Sequence, residues 1–373
     1  MVKIGILGGG QLGKMFLQEA HSYPYKFYVL DPDPEAPACG LADVFVCGDF
    51  REYEAVMSFG RKVDILTIEI EDVNTAALHA LEAAGVKVFP SPAVIDLIKD
   101  KGRQKEFLAD LDIPMGPFVL ADTPGQVREQ PFGWPVFVKS RTGGYDGRGV
   151  QKMEHPGEEI LVPGPWLLEA ALDISKEISV IVSRNSKGQM ACFPAVESHF
   201  HPTLHLVDYL VSPAGITEAL QACAVRLAEQ IAAALPLCGI LAVEMFVHSS
   251  GELFVNELAP RPHNSGHASI EANYTSQFMQ WLFAITGLPP GDPSCVMPAV
   301  MVNLLGAPEH RGEALLEGAE ALQAMPGCYL HWYGKTETRP GRKMGHITVM
   351  QAEKDEAVKQ ALKLKDLLRV ISL

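Results

Sequence analysis

The sequence predicts an α/β protein with an N-terminal parallel sheet that continues into α+β modules. Three observations carry this expectation. Short apolar runs alternate with helix-patterned segments over residues 1–98. A glycine turn, Gly8-Gly9-Gly10-Gln11-Leu12-Gly13, joins the first apolar run to the first helical pattern. Beyond residue 180 the pattern changes to hairpins, with Asn-Ser-Lys-Gly at 185–188 and Ser250-Gly251 as turn signals.

Each element follows from local chemistry. Residues 3–7 form a short apolar strand, and 11–22 carry helical spacing through Leu12, Met15, Phe16 and Glu19. Residues 26–31 and 63–68 read as strands, 74–84 as a helix and 86–89 as a strand. Ser91-Pro92 reads as an N-cap followed by proline at the first helical position. A helix over 99–112 is closed by Pro114. Residues 115–180 are rich in proline and glycine, with short strands at 136–139 and 166–168. Two strands then flank the 185–188 turn, and an alanine-rich helix covers 215–235. A second hairpin spans 239–260, and a helix is expected over 268–286. Strands near 299–305, 328–334 and 345–350 and a helix over 354–368 complete the chain. Three domains are expected: 1–98, 99–180 and 181–373.

Composition narrows the function classes. Hydrophobic residues make up 47% of the 373 and charged residues 20%, the balance of a soluble globular enzyme. Against 31 basic residues stand 45 acidic ones, a net charge of −14. Nucleic acid and anionic membranes need a broad basic surface, so neither is expected as a partner. Small anions need only a local basic pocket. The seven cysteines are scattered, odd in number and never spaced Cys-x-x-Cys, so reduced and mostly buried thiols are expected, not disulfides or zinc. The N-terminus does not read as a signal peptide, and a cytoplasmic protein is expected.

Three stretches carry chemistry. The glycine turn contains Gly-x-Gly-x-x-Gly, and Asp31 ends the next strand. This fits a dinucleotide site, and it fits equally a helix N-terminus whose amides receive any anion. In the 239–260 hairpin, Glu244 and Glu257 interrupt apolar strands. A two-residue turn at Ser250-Gly251 would set them face to face. Two opposed carboxylates roughly 5 Å apart at Cβ repel each other unless a cation lies between them. Oxygen-only ligands completed by phosphate describe a Mg-nucleotide site, with Asn256 as a neutral oxygen donor. A register slip would instead leave one glutamate at a solvated rim. Finally, residues 138–150 read VKSRTGGYDGRGV, a lysine at a strand end followed by a glycine loop that lacks the Gly-Lys-Ser/Thr of a P-loop.

Lys139, the glycine loop after it and the later carboxylate pair together resemble the ATP-grasp superfamily. Within it, GGGQLGKM (8–15), VKSRTGGYDGRG (138–149), VNELAPRPHNSGH (255–267) and RPGRKMGH (339–346) are similar, in order, to the N5-carboxyaminoimidazole ribonucleotide synthetases. The resemblance implies an ATP-grasp fold with an N-terminal Rossmann-like (pre-ATP-grasp) parallel-sheet domain. It implies a cytoplasmic homodimer of purine biosynthesis that joins bicarbonate to 5-aminoimidazole ribonucleotide through carboxyphosphate. ATP is the co-substrate, and Mg²⁺, or Mn²⁺ in its place, is the metal.

The resemblance also implies residue roles. Lys101 and Lys139 would bind ATP phosphates, under the loop Gly143, Gly144, Tyr145, Asp146, Gly147, Arg148 and Gly149. Glu169, Ala170, Ala171 and Leu172 would hold adenine, and Glu177 the ribose. Glu244 and Glu257, with Asn256 beside them, would hold the metal. Arg261, His263, Asn264 and Ser265 would surround bicarbonate. Gln11, Leu12, Glu69, Tyr145, Asp146, Arg148, Lys335 and Arg342 would hold the aminoimidazole nucleotide, and the glycine-turn amides could meet its phosphate. Two departures from the family pattern stand out: Lys101 replaces the arginine of many members, and Glu197-Ser198-His199-Phe200-His201 replaces a Glu-Asn-x-His stretch. Glu71 reads as a surface charge, the cysteines as core, and His267 and His346 as orienting or structural. A nicotinamide oxidoreductase would leave the glycine loop, the glutamate pair and the basic stretch at 335–343 without a role.

Overall fold

The computed structural model describes residues 1–143, 149–200 and 207–373. Among them are four sheets. The first is parallel throughout, in the spatial order Val44–Cys47, Lys26–Asp31, Lys3–Leu7, Ile65–Ile68 and Lys87–Phe89. Connection direction reverses between Lys3–Leu7 and Ile65–Ile68, and open parallel sheets bind ligands beyond the strand ends at such a point. Gly8 and Glu69 directly follow those two strands. Ile4, Ile6, Phe27 and Val29 fill one face with Met15 and Phe16 of the helix Gln11–Ala20. Leu7, Leu30, Leu66 and Ile68 fill the other with Leu78 and Leu81 of the helix Thr75–Ala83. With both faces covered by helices, these strands are mostly apolar, which is why they read as short apolar runs in the sequence.

The second sheet is antiparallel and runs Phe118–Ala121, Trp166–Ala170, Val136–Ser140, Val150–Met153. Val136, Val138, Trp166 and Leu168 form its small core. Residues 171–173 then cross directly to Ile174–Arg184, in the large sheet. That sheet runs Leu253–Ala259, Gly239–His248, Ile174–Arg184, Val196–Phe200, Val207–Ser212, Ala299–Leu305, Lys343–Met350, Cys328–Trp332, with Met190–Cys192 beside Ile174–Arg184. A small sheet of Gly312–Glu317, Glu337–Thr338 and Arg369–Ser372 completes the fold.

Some expectations need correction. The single helix over 268–286 is two, Ser269–Ala272 and Gln277–Thr286. Asn273 leaves the helix to bridge Cys295, and Ser276 caps the second helix by accepting from Met279 N at 3.1 Å. The expected helix over 99–112 covers Lys101–Asp110, because Asp100 caps it through Gly102 N at 2.9 Å and Arg103 N at 3.2 Å. The thiols are all unbridged, but only Cys238 is buried; Cys47 is exposed and the other five are half-buried. Short strands such as Val44–Cys47 and Val207–Ser212 escaped the sequence reading because four to six residues carry too little periodicity to mark a strand. Among the described residues no helix is long and apolar enough to cross a membrane.

Candidate functional site

The large sheet shows how one face becomes a site. On its first face, Val180, Val182, Leu241, Val243 and Leu258 pack against the helix Glu218–Ala234. On the second, Ile181, Ile240 and Ala242 pack toward Phe278 and Trp281. Further along this second face the side chains turn polar, and Ser179, Glu244 and Glu257 lie in one row across three neighbouring strands. Glu244 is therefore opposite Glu257, through two compensating departures from the expected hairpin. Three residues, Ser249 to Gly251, stand between the paired His248 and Glu252, so the turn is one longer than expected; Gly251 takes φ +89° to close it. A bulge at Asn256 then shifts the register back, from Met245↔Val255 to Glu244↔Glu257. The bulge also lets Asn256 and Glu257 face the same group of lysines.

Those lysines come from two other elements. Lys101 and Lys105 lie one turn apart on the helix Lys101–Asp110, and Lys139 lies on Val136–Ser140. Lys101 pairs with Glu257. Lys139 pairs with Glu169 and donates to Asn256 Oδ1 at 3.3 Å. Lys105, which the sequence reading passed over, holds the other Glu169 oxygen at 2.7 Å. Its one legible signal was the i, i+4 spacing from Lys101. Burial works against the Glu169 carboxylate, but Lys139 and Lys105 outweigh it and hold the group well below the usual carboxylate range. Burial likewise opposes the Lys139 charge; Glu169, Glu257 and Glu244 overcome it and raise the ammonium.

Glu177 sits on the same side of Ile174–Arg184 as Ser179, two residues away. Burial pushes its carboxyl up to about 7, helped by the nearby Glu244 charge. Glu244 accepts from His263 Nε2 at 3.1 Å. Burial opposes its charge, but His263, Lys101 and Lys139 keep it ionised. His263 Nδ1 lies 2.8 Å from Ser265 Oγ, which lies 3.0 Å from Ser179 Oγ. Among the described residues Asn264 Nδ2 is buried without a hydrogen-bond partner, a donor left open for an acceptor. Arg261 Nε donates to Glu71 at 2.8 Å. Glu71 is thus no solvated surface charge: the tertiary fold brings it to a guanidinium 190 positions away.

The segment Glu169 to Leu172 divides in two. Glu169 points into the lysines, whereas Ala170 ends its strand, Ala171 is exposed and Leu172 packs against Gly116. At the base of the glycine loop, Gly149 O accepts from Ser140 N at 2.9 Å, and Gly143 and Gly149 take φ of +73° and +78°. Gly144, Tyr145, Asp146, Gly147, Arg148 and His201 lie outside the described residues.

The glycine turn corrects an expectation. Its amides face carboxylates of the chain itself. Glu69 accepts from Gly10 N and Gly13 N, and Asp31 accepts from Gly9 N at 2.7 Å. Gln11 and Leu12 carry the two first-turn amides that neither carboxylate takes. Glu69 is 8% exposed, lying beneath the turn. Asp31 is buried there too and also accepts from Asp33 N at 2.8 Å. The same helix does reach the basic C-terminal stretch, since Lys14 Nζ donates to the carbonyls of Trp332 (2.9 Å) and Tyr333 (3.0 Å). Lys335 lies over the Tyr333 ring at 5.6 Å and donates to Lys343 O at 2.7 Å, while Arg342 donates to Glu337 O at 2.6 Å. Burial, and then Arg339, lower the Arg342 guanidinium.

Glu69 makes a pH prediction. Burial raises its carboxyl from 4.5 to about 7, against the pull of the Gly13 and Gly10 amides. The native state therefore holds a proton that the unfolded state has released. That stabilisation is complete below pH 4.5 and is lost as pH rises through about 7. The difference in Tm between wild type and Glu69→Gln should shrink as pH is raised from about 5 to 8. A difference that does not change with pH would show that Glu69 is charged throughout.

A carboxylate pair beside buried and half-buried lysines, between an antiparallel module and a larger sheet, is an arrangement of the ATP-grasp class. Family models agree: the ATP-grasp domain matches residues 106–278 and the ribonucleotide synthetase preATP-grasp domain residues 1–99. The phosphoribosylaminoimidazole carboxylase C-terminal domain matches residues 299–360. The crystal structure of N5-carboxyaminoimidazole ribonucleotide synthetase from Thermotoga maritima superposes with a TM-score of 0.92 at 41% identity, covering 100% of both chains. The N5-carboxyaminoimidazole synthase of Aspergillus clavatus, in complex with ADP and 5-aminoimidazole ribonucleotide, gives 0.90 at 33% identity over 98% of each chain. The phosphoribosylaminoimidazole carboxylase of Ogataea methanolica is 40% identical over 93% of this chain, which spans 66% of that relative's length. The chain belongs to the N5-carboxyaminoimidazole ribonucleotide synthetase family.

Proposed function

We propose that this protein carboxylates the exocyclic amine of 5-aminoimidazole ribonucleotide with bicarbonate, converting ATP to ADP and phosphate. The observation that carries the reading is the facing of Glu244 and Glu257 beside Lys101, Lys105 and Lys139. The related Aspergillus clavatus enzyme in complex with ADP and the aminoimidazole nucleotide supports it.

Two carboxylates and the Asn256 amide are hard oxygen donors suited to Mg²⁺ or Mn²⁺. Among the described residues no three His, Cys, Asp or Glu side chains form a closed cage. Such a set fits a metal that arrives with nucleotide phosphates completing its shell. Bound there, the metal would supply positive charge to the phosphates. Glu257 would then exchange Lys101 for the metal, leaving Lys101 to meet phosphate. Lys139, held between Glu169 and Asn256, would meet phosphate beside it. Ala170, Ala171 and Leu172 would line adenine at the crossover between sheets, and Glu177, ionised, would accept from the ribose hydroxyls.

Bicarbonate is a poor electrophile. Attack of its oxygen on the γ-phosphorus breaks the bond to the β–γ bridging oxygen and yields carboxyphosphate and ADP. That step requires alignment and charge neutralisation more than covalent help. Arg261, oriented through Nε by Glu71, would offer its planar fork to bicarbonate. Asn264 Nδ2 would find there the acceptor it lacks among the described residues. The amine then attacks the carboxyl carbon and phosphate leaves. Carboxyphosphate is labile in water, so the site must be closed while this happens. The glycine loop, 143–149, is assigned that task, and Tyr145, Asp146 and Arg148 the second nucleotide.

Lys335 and Arg342 would take the nucleotide's 5′-phosphate, with the amides of Gln11 and Leu12 opposite. Glu69 would act there by holding the glycine turn. The same reading has the protein working in the cytosol as a homodimer. The deciding experiment measures ADP release with ATP, bicarbonate and aminoimidazole ribonucleotide, omitting each in turn. Release that continues without the ribonucleotide or bicarbonate would refute the assignment. Arg342→Ala should raise KM for the ribonucleotide roughly tenfold or more and leave KM for ATP within about twofold. An equal effect on both would move Arg342 out of the phosphate pocket.

A further inference from the structure

Gln277 begins the helix Gln277–Thr286 and is fully buried. Its side-chain amide is matched to the backbone N–H and C=O of one residue. Oε1 accepts from His263 N at 2.9 Å, and Nε2 donates to His263 O, also at 2.9 Å. The second Nε2 hydrogen points to His267 Nδ1 at 3.1 Å. Burial drives the His267 imidazole far down, so it is neutral and that nitrogen can accept. The backbone of the loop has been drawn against this side chain: a Cβ built on Gly266 would stand 2.4 Å from Gln277 Cδ and Oε1. Below it, Gln277 N donates to Ser269 Oγ at 2.8 Å, and Ser269 Oγ donates to Gly266 O at 2.5 Å.

We infer that Gln277 is a positioning residue for bicarbonate activation, holding the His263 backbone so that the imidazole meets Glu244 and Asn264 faces the reacting centre. A buried amide used in this way replaces the strand pairing that an irregular loop cannot provide. The loop carries Arg261, His263, Asn264 and Ser265 with no regular element of its own beyond one short turn, Asn264–Gly266. Its aim therefore depends on Gln277. ATP contacts lie on other elements, so loss of this hold should damage turnover and spare ATP binding.

The inference rests on the carboxylation reading, and the experiment separates the two. Wild-type protein is assayed first for ADP release that requires ATP, bicarbonate and aminoimidazole ribonucleotide together. Absence of that requirement overturns the functional reading and this inference with it. With the requirement present, Gln277→Met and Gln277→Glu test the inference alone. Methionine keeps the length and removes every polar atom. It should lower kcat at least roughly tenfold and raise KM for bicarbonate, with KM for ATP within about twofold. Gln277→Glu supplies a signature that loss of packing would not. As a neutral acid it keeps an acceptor for His263 N and a donor for His263 O; ionised, it loses the donor. Its activity relative to wild type at the same pH should rise as pH falls from about 8 to 6. His263 and His267 flank the position, His346 lies 5.0 Å beyond His267 between ring centres, and Glu19 accepts from Ser276 Oγ at 2.9 Å. All four are present in both proteins, so the relative profile reads the introduced carboxyl together with its contact to His267. Wild-type kcat in Gln277→Met, a KM for ATP that rises in step with the loss of kcat, or a flat relative pH profile would overturn the inference. Should Gln277→Met fail to fold, the Gln277→Glu profile decides.

Discussion

Replacing Glu257 with glutamine should abolish Mg-ATP-dependent turnover, lowering kcat by roughly a hundredfold or more while the protein stays folded. The substitution removes one of two facing carboxylates and retains size and shape. Its side chain is 39% exposed, so the folded state loses little beyond the contact with Lys101. Tm should stay within about 3 °C of wild type. The charge lost is the one that would neutralise a divalent cation, so raising Mg²⁺ should recover part of the activity. Turnover at the wild-type level would remove Glu257 from the metal site. A large fall in Tm would instead assign it to holding Lys101.

Lys139→Met should produce the second large effect, on stability and activity together. Lys139 and Lys105 share the buried carboxylate of Glu169, which is 11% exposed at its side chain. Removing one lysine leaves a buried carboxylate with half its compensation, a cost of about 2 kcal/mol. Catalysis loses a cation aimed at the phosphates, so kcat/KM for ATP should fall roughly a hundredfold or more. The double variant Lys139→Met, Glu169→Gln separates the two losses. With the stranded charge gone, part of the stability should return while kcat/KM for ATP stays low. Return of activity along with stability would make Lys139 a structural partner of Glu169 and not a phosphate ligand.

The facing of Glu244 and Glu257 was legible because two local rules act together. Side chains alternate along a strand, and a turn sets the register. Even so, the pairing survives only because the longer turn and the bulge at Asn256 cancel, and neither was readable from residue types. Lys105 was half-legible, since it repeats Lys101 one helical turn later, but nothing local distinguishes it from a solvated lysine. The glycine turn was legible as a turn, but not which of its amides the chain itself would occupy: those of Gly9, Gly10 and Gly13. Such amides attract anions in general, and Glu69 and Asp31 are the anions that reach these three. Glu71 was misread for the same reason: charge is visible in a sequence, and its partner Arg261 is not.

The sequence by itself determined the parallel N-terminal sheet, the antiparallel modules that follow and the residues at which apolar strands are interrupted by charge. Periodicity, turn chemistry and helix caps act over a few residues, so a linear string contains them. Only the tertiary structure decided which charge meets which. Lys101 finds Glu257 across 156 positions, Lys139 finds Asn256 across 117, and Gln277 reaches back 14 positions to clasp His263. Such pairs are chosen by the packing of whole sheets and helices, which brings buried polar groups together and makes each of them costly to leave without a partner.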